Sequence, residues 1–312
     1  MLTLQDIQSA QVRIADHVRH TPLVEAKPVK QPITQARSLA LKLECLQISG
    51  SFKARGAVNK LLSLPTQQVQ RGLVTASGGN HGLGVAYAGW LAHAPVTIFL
   101  PHGTPLTKIQ KLEHWGARVI VEGNVWDEAN QAALRAAEQE GWNYFHPFAD
   151  PFVIAGQGTL GLEILADAPD IDTLLVAIGG GGLIGGISLA ARALKPGIKI
   201  IGIEPVGAPT LYESLRAGEI VELPQVTTVA GTLAPRRSAA INLELIQQHV
   251  NEIVLVTDEE MREAARWLWF EMGIAAELSG SASIAALLAG KYSASPSEKV
   301  CALVCGAGND GM

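Results

Sequence analysis

The feature that most constrains this chain is the run Ile178-Gly179-Gly180-Gly181-Gly182-Leu183-Ile184-Gly185-Gly186. It follows an apolar, β-branched stretch, Thr173–Ile178, and precedes a helix-forming one, Leu183–Leu194. Four consecutive glycines expose successive backbone amides with no Cβ in the way. The next helix aims its N-terminus at the same point. Amides and helix dipole together favour an anion such as a phosphate. A tight turn alone rarely requires four glycines. The segment also satisfies a second pattern: Gly180, Gly182 and Gly185 read as G-x-G-x-x-G after a strand, and Glu204 ends the next strand. That is the dinucleotide-binding fingerprint with its acidic residue, so an NAD-dependent dehydrogenase stands as an alternative on this segment alone.

The rest of the chain alternates. Strand candidates are Leu73–Ser77, Val96–Leu100, Ala117–Glu122, Thr173–Ile178, Lys199–Ile203, Glu252–Val256 and Val300–Cys305. Helix candidates are Ser51–Leu64, His81–His93, Pro105–Trp115, Trp126–Glu140, Gly158–Asp167, Leu183–Leu194, Glu259–Met272 and Ser281–Leu288. An opening helix carries Thr3 and Asp6 at capping-box spacing and an apolar stripe of Ile7, Ile14 and Val18. Strands apolar throughout and separated by helices imply an α/β fold of open, mostly parallel twisted sheets with helices on both faces. Such sheets bind ligands beyond the carboxyl ends of their strands.

Composition excludes several classes. With apolar residues at 48% and charged ones at 17%, the chain has ample core and no disordered character. A net charge of −5 without a basic block argues against nucleic-acid binding. The uncharged stretch 173–191 is long enough for a bilayer, but its glycine clusters fit strand, turn and helix better, so no membrane span is expected. No apolar leader opens the chain. Three scattered cysteines, Cys45, Cys301 and Cys305, make no disulfide framework and point to the cytoplasm. They lack C-x-x-C or histidine-pair spacing, so no metal is expected.

Three further turns carry candidate chemistry. Ile48-Ser49-Gly50-Ser51-Phe52-Lys53 opens a helix whose buried stripe is Ala54, Val58 and Leu61. Lys53 falls on the border of that stripe, in the first turn, where a cation is disfavoured. A neutral amine there suits covalent chemistry with a carbonyl, although Arg55 in the same turn weakens the electrostatic argument and a solvated surface lysine remains open. Thr75-Ala76-Ser77-Gly78-Gly79-Asn80-His81-Gly82 follows a strand and opens a helix, a place for a carboxylate. Asn80 there can bond a ligand oxygen or serve as an N-cap, and His81 reads as packed or solvent-facing. In Leu303-Val304-Cys305-Gly306-Ala307-Gly308-Asn309, Cys305 ends a strand, either facing a ligand ring nitrogen or packing as a small hydrophobe.

In this order the turns resemble the fold-type II, tryptophan synthase β-like, pyridoxal-phosphate enzymes, and within them the serine/threonine dehydratases. The resemblance spans nearly the whole chain. It rests on His20-Thr21-Pro22-Leu23, Ser49-Gly50-Ser51-Phe52-Lys53-Ala54-Arg55-Gly56-Ala57, Ser77-Gly78-Gly79-Asn80-His81-Gly82, His146-Pro147-Phe148, Gly156-Gln157-Gly158-Thr159, Gly179 to Leu183, and Glu277-Leu278-Ser279-Gly280. It implies pyridoxal 5′-phosphate held as a Schiff base on Lys53, whose freed amine then removes the substrate α-proton. It implies a phosphate site at Gly179, Gly180, Gly181, Gly182 and Leu183, with Phe52 packed near the cofactor. Asn80 would bond the ring 3′-oxygen and Cys305 would contact the ring nitrogen. Ser77, Gly78, Gly79, Asn80 and His81 would hold the substrate carboxylate. The implied reaction is β-elimination of water from L-threonine or L-serine, giving 2-oxobutanoate or pyruvate and ammonia. A thiol at the ring nitrogen, unlike a carboxylate, makes a weaker electron sink and favours immediate β-elimination.

The sequence also departs from the resembled pattern. Serine racemases place a Ser base where Gly78 stands, and Thr210 falls where a racemase-type metal site would have an acid. Gly78 therefore speaks against a two-base racemase, although serine racemase-like chemistry stands as an alternative; the usual A-D-G reads Ala230-Gly231-Thr232, so a bulkier β-hydroxy amino acid is another. The chain ends soon after the fourth turn, so a regulatory domain and isoleucine feedback are not expected. The resemblance divides the chain into a large cofactor-binding domain, 1–70 and 150–312, and a small inserted domain, 71–149. It also implies a homodimer or homotetramer.

Overall fold

Thr3 and Asp6 close the expected capping box: the Asp6 amide donates to Thr3 Oγ1 and the Thr3 amide to Asp6 Oδ2. The helix they start, Leu4–Ile14, buries Ile7, Ala10 and Ile14 and stops before Val18. The computed structural model describes residues 2–309. Among these, the strands are β1 (Leu23–Glu25), β2 (Ser38–Leu43), β3 (Leu73–Ala76), β4 (Val96–Leu100), β5 (Arg118–Val121), β6 (Asn143–Tyr144), β7 (Thr173–Ala177), β8 (Lys199–Pro205), β9 (Glu252–Val256) and β10 (Lys299–Val304).

They form two sheets. The larger has the order β1-β2-β10-β7-β8-β9 and the smaller β5-β4-β3-β6. Every pairing is parallel except β1 with β2. β3, β4 and β7 are buried along their whole length, which their unbroken apolar runs require. The larger sheet holds the main core, with Leu175, Ile187, Ile200 and Ile203 fully enclosed. Each such side chain contributes about 1.5–3 kcal/mol of burial. The strands of the smaller sheet all lie between Leu73 and Tyr144 and enclose cores of their own.

Helix Pro151–Asp167 starts earlier than its sequence pattern suggests. Asp150 caps it by accepting from the amides of Phe152 and Val153. The sequence pattern starts it at Gly158, and its glycines are contact points. A Cβ on Gly156 would stand 2.6 Å from Gly56 Cα, so this helix crosses helix Lys53–Ser63 backbone to backbone. The helix that carries Lys53 is thereby seated directly on its neighbour's main chain.

Three strands and several helices escaped the sequence pattern. β1 and β6 are too short to show a period. β2 contains Lys42, which is fully buried because its Nζ lies 2.7 Å from Glu163 and 3.0 Å from Asp167. Helices Thr66–Val69, Thr210–Ala217 and Ala240–His249 carry no side-chain N-cap of their own. For Thr210–Ala217 the cap comes from Glu204, which accepts from the amides of Leu211 (2.9 Å) and Tyr212 (2.7 Å).

Candidate active site

All four glycine-bearing turns lie past the carboxyl ends of parallel strands: β2, β3, β7 and β10. They converge. The Phe52 amide donates to the Cys305 carbonyl at 3.3 Å, and the Ala307 amide donates to the Gly50 carbonyl at 2.8 Å, joining the first turn to the fourth. Asn80 Nδ2 donates to Glu277 Oε1 at 2.6 Å, joining the second turn to the larger sheet's helix Leu278–Leu288. The main-chain oxygen of Thr232 approaches the Cβ position of Gly179 to 2.9 Å, and its methyl Cγ2 approaches that of Gly79 to 3.4 Å.

Lys53 is the first residue of its helix, half-buried, with Nζ donating to the Pro147 carbonyl at 2.6 Å and standing 5.1 Å from the Phe52 ring centre. Loss of water around the ammonium lowers its pKa to about 8, despite the opposing pull of the Glu277 carboxylate. An appreciable neutral fraction therefore exists near neutral pH. Arg55 does not compete for the same space. It turns away into a buried cluster, 2.8 Å from each oxygen of Glu44 and 2.9 Å from Glu163, which Lys42 also bridges. No local pattern marks this cluster in the sequence, because its members come from β2, the 3-10 turn Glu44–Leu46 after it, two α-helices and the His20-Thr21 loop. His20 and Asp167 close its outer end at 2.8 Å.

Cys305 follows β10, is buried, and directs Sγ to the Ser279 carbonyl at 3.4 Å. Burial, then the neighbouring Glu277 charge, push its thiol well above the ordinary range, so it stays neutral. Asn80 is the first residue of helix Asn80–Leu91; the N-cap is Gly79, so the capping role considered for Asn80 does not hold. Ser77 Oγ accepts from the Gly79 amide at 3.3 Å. His81 is packed: one ring nitrogen meets the Phe145 carbonyl at 2.9 Å, and burial and then Lys53 drive its pKa far down. The turn at Gly179–Gly182 is tied from behind by Asn242 Nδ2 (2.7 Å) and Ser238 Oγ (2.8 Å), both donating to the Gly180 carbonyl. Neither residue stood out in the sequence. The first bond of the following helix runs from Gly185 to Gly181, so the amides of Gly182, Leu183 and Ile184 have no acceptor within it.

The dinucleotide alternative fails at Glu204. Its side chain is fully buried and both carboxylate oxygens accept from the amides of the helix behind it, out of reach of a ribose. Burial outweighs those bonds and raises its pKa to about 8.

Comparison with known proteins agrees with this geometry. Residues 14–306 match the family described as pyridoxal-phosphate dependent enzymes. The chain belongs to that family. An L-threonine ammonia-lyase of Thermotoga maritima is 41% identical over 288 residues, covering 92% of this chain and 71% of that protein. Among solved structures, maize serine racemase superposes with a TM-score of 0.93 at 33% identity, covering 98% of this chain and 93% of that one. The processed form of threonine deaminase isoform 2 from Solanum lycopersicum gives a TM-score of 0.91 at 33% identity, covering 98% of this chain and 83% of that one. The two-sheet α/β fold is thus that of fold-type II members.

The residues present fit the family's cofactor. The orphan amides at 182–184 suit its phosphate, and one loop joins them to Lys53: Pro147 accepts from Lys53 Nζ while Phe148 packs on Gly180 and Gly182. Among the described residues no helix is long and apolar enough to cross a membrane.

Proposed function

We propose that this chain is an L-threonine/L-serine ammonia-lyase, removing water from the substrate and releasing 2-oxobutanoate or pyruvate with ammonia. One observation carries the reading: the Phe52 amide, bonded to the Cys305 carbonyl at 3.3 Å, brings a buried thiol at the end of β10 against the turn that carries Lys53, whose amine is lowered to about 8. The relatives named L-threonine ammonia-lyase support it.

When bound, pyridoxal phosphate supplies the electron sink that makes the substrate α-proton acidic. Lys53 would hold it covalently through Nζ. Gly179, Gly180, Gly181, Gly182 and Leu183 would grip its phosphate through their amides, with Phe52 packed alongside. Glu277 takes one N–H of Asn80, leaving the other to donate to the ring 3′-oxygen. Cys305 would meet the ring nitrogen without protonating it. The helix start behind Ser77, Gly78, Gly79, Asn80 and His81 would orient the substrate carboxylate through amides and the Ser77 hydroxyl. Lys53 Nζ then accepts the α-proton. Residues 71–149 would act as a small domain that closes on 1–70 and 150–312 and excludes water. Racemisation needs a second proton carrier, and Gly78 offers no side chain for it. We place the enzyme in the cytoplasm as a homodimer or homotetramer, the compartment being consistent with three free, buried cysteines.

Two measurements test the reading. Cofactor-loaded protein should release 2-oxo acid from L-threonine or L-serine, and Lys53→Ala should abolish it. Borohydride reduction followed by peptide mapping should leave the cofactor mass on Lys53. No 2-oxo acid from either substrate, or label elsewhere, removes the proposal.

A further inference from the structure

We infer that Thr232 is a specificity-determining residue: its methyl group walls the cleft beside the carboxylate-binding turn and limits the size of the substrate's β-substituent. The inference rests on the proposed reaction but uses a residue that reading leaves idle.

Three observations carry it. First, Thr232 stands between the second and the third glycine turn. Its Cγ2 lies 3.4 Å from the Cβ position of Gly79, while its own main-chain oxygen lies 2.9 Å from that of Gly179. A carboxylate docked on the amides after Gly79 therefore has this methyl as its neighbour. Second, the side chain is pinned. Thr232 Oγ1 donates to Ser279 Oγ at 2.5 Å, and Ser279 Oγ donates to Glu277 Oε1 at 2.5 Å. Glu277 Oε1 also holds Asn80. A β-branched residue is already stiff at χ1, so a bonded hydroxyl fixes where the methyl points. Third, the adjoining Gly231 adds nothing: a Cβ there would meet no atom within 4 Å. Of these two neighbours only Thr232, itself exposed, places a side chain beside Gly79, and its main-chain oxygen already touches the tetraglycine turn.

The consequence is a fixed apolar limit rather than a polar reader. The difference between L-serine and L-threonine is one methyl on Cβ. A single methylene-sized change in such a pocket discriminates by roughly 10–200-fold.

The test separates methyl from hydroxyl. Thr232→Ser keeps the hydroxyl and removes the methyl; Thr232→Gly removes both; Thr232→Val keeps a methyl and removes the hydroxyl. The ratio of kcat/KM for L-threonine over L-serine should rise about tenfold in the Ser and Gly variants. It should change less in the Val variant than in the Ser variant. A parallel measurement needs no turnover: dissociation constants of L-alanine, L-2-aminobutyrate and L-norvaline, read from the absorbance of the bound cofactor. Affinity for the two longer side chains relative to L-alanine should rise in the Ser and Gly variants. A Ser-variant ratio that moves less than about threefold in both measurements overturns the inference; so does a larger shift in Val than in Ser. Absence of 2-oxo acid from the parent protein would instead sink the proposed reaction, and the binding series would still decide the role of Thr232.

Discussion

The two glycine turns after β7 and β3 look alike in sequence and differ in packing. In the β7 turn the glycines are needed because protein atoms fill the space a side chain would take. A Cβ on Gly180 would overlap the Phe148 ring, and one on Gly182 would lie 2.7 Å from the Phe148 carbonyl oxygen. The turn is also tied to Asn242 and Ser238. In the β3 turn the nearest atoms to a Cβ on Gly78 are flexible side-chain methyls, Leu100 Cδ2 at 3.3 Å and Thr104 Cγ2 at 3.5 Å. One turn is a rigid seat whose amides are fixed before anything binds. The other leaves room at Gly78 and Gly79, where a substrate has to enter and depart, and is tight only at Gly82, where a Cβ would overlap the Ser77 carbonyl oxygen. Preorganised amides lose little on binding an anion, whereas a turnover site has to release what it holds.

That contrast can be broken by substitution. Gly182→Ala should have the largest effect, since backbone cannot yield as a side chain can. Overpacking costs about 1–3 kcal/mol, and cofactor affinity by absorbance titration should fall about tenfold or more. Asn242→Ala comes next. It takes the side-chain donor from the Phe148 carbonyl and leaves the Gly180 carbonyl with Ser238 Oγ alone, which costs about 1–3 kcal/mol in urea unfolding. Lys53→Met sharpens the point from the cleft floor. Burial lowers Lys53 to about 8 from its ordinary 10.5, so below about pH 8 the folded protein carries the full cost of an enclosed ammonium. Between these values the folded state binds fewer protons than the unfolded, and stability rises with pH. Cofactor-free Lys53→Met should therefore melt a few degrees above the parent at pH 7, with the gap closing toward pH 10.5; a constant gap counts against the shift. Gly78→Ala should be smallest, within about 0.5 kcal/mol and with cofactor affinity unchanged. An effect as large as that of Gly182→Ala would erase the distinction between the turns.

Much of the architecture was legible because it depends on local pattern. Strands β4 and β9 and helix Trp126–Glu140 match their sequence runs end to end, since unbroken apolar runs and clear periodicity leave few options. The misses share a cause. β2 was hidden by Lys42 and the start of helix Pro151–Asp167 by its glycines. In both cases the deciding partner, Glu163 for Lys42 and Gly56 for Gly156, is distant along the chain. Glu204 went the same way: its spacing fits a ribose contact, and only the fold turns it onto a helix N-terminus.

The sequence alone determined which turns follow strands, where backbone amides lie bare, and which lysine begins a helix, because these are properties of neighbouring residues. Only the tertiary structure decided that Asn80 meets Glu277, that Arg55 faces away from Lys53, and that Thr232 stands over Gly79. Those contacts join segments brought together by sheet order, and burial there fixes both the protonation of each group and the direction in which it points.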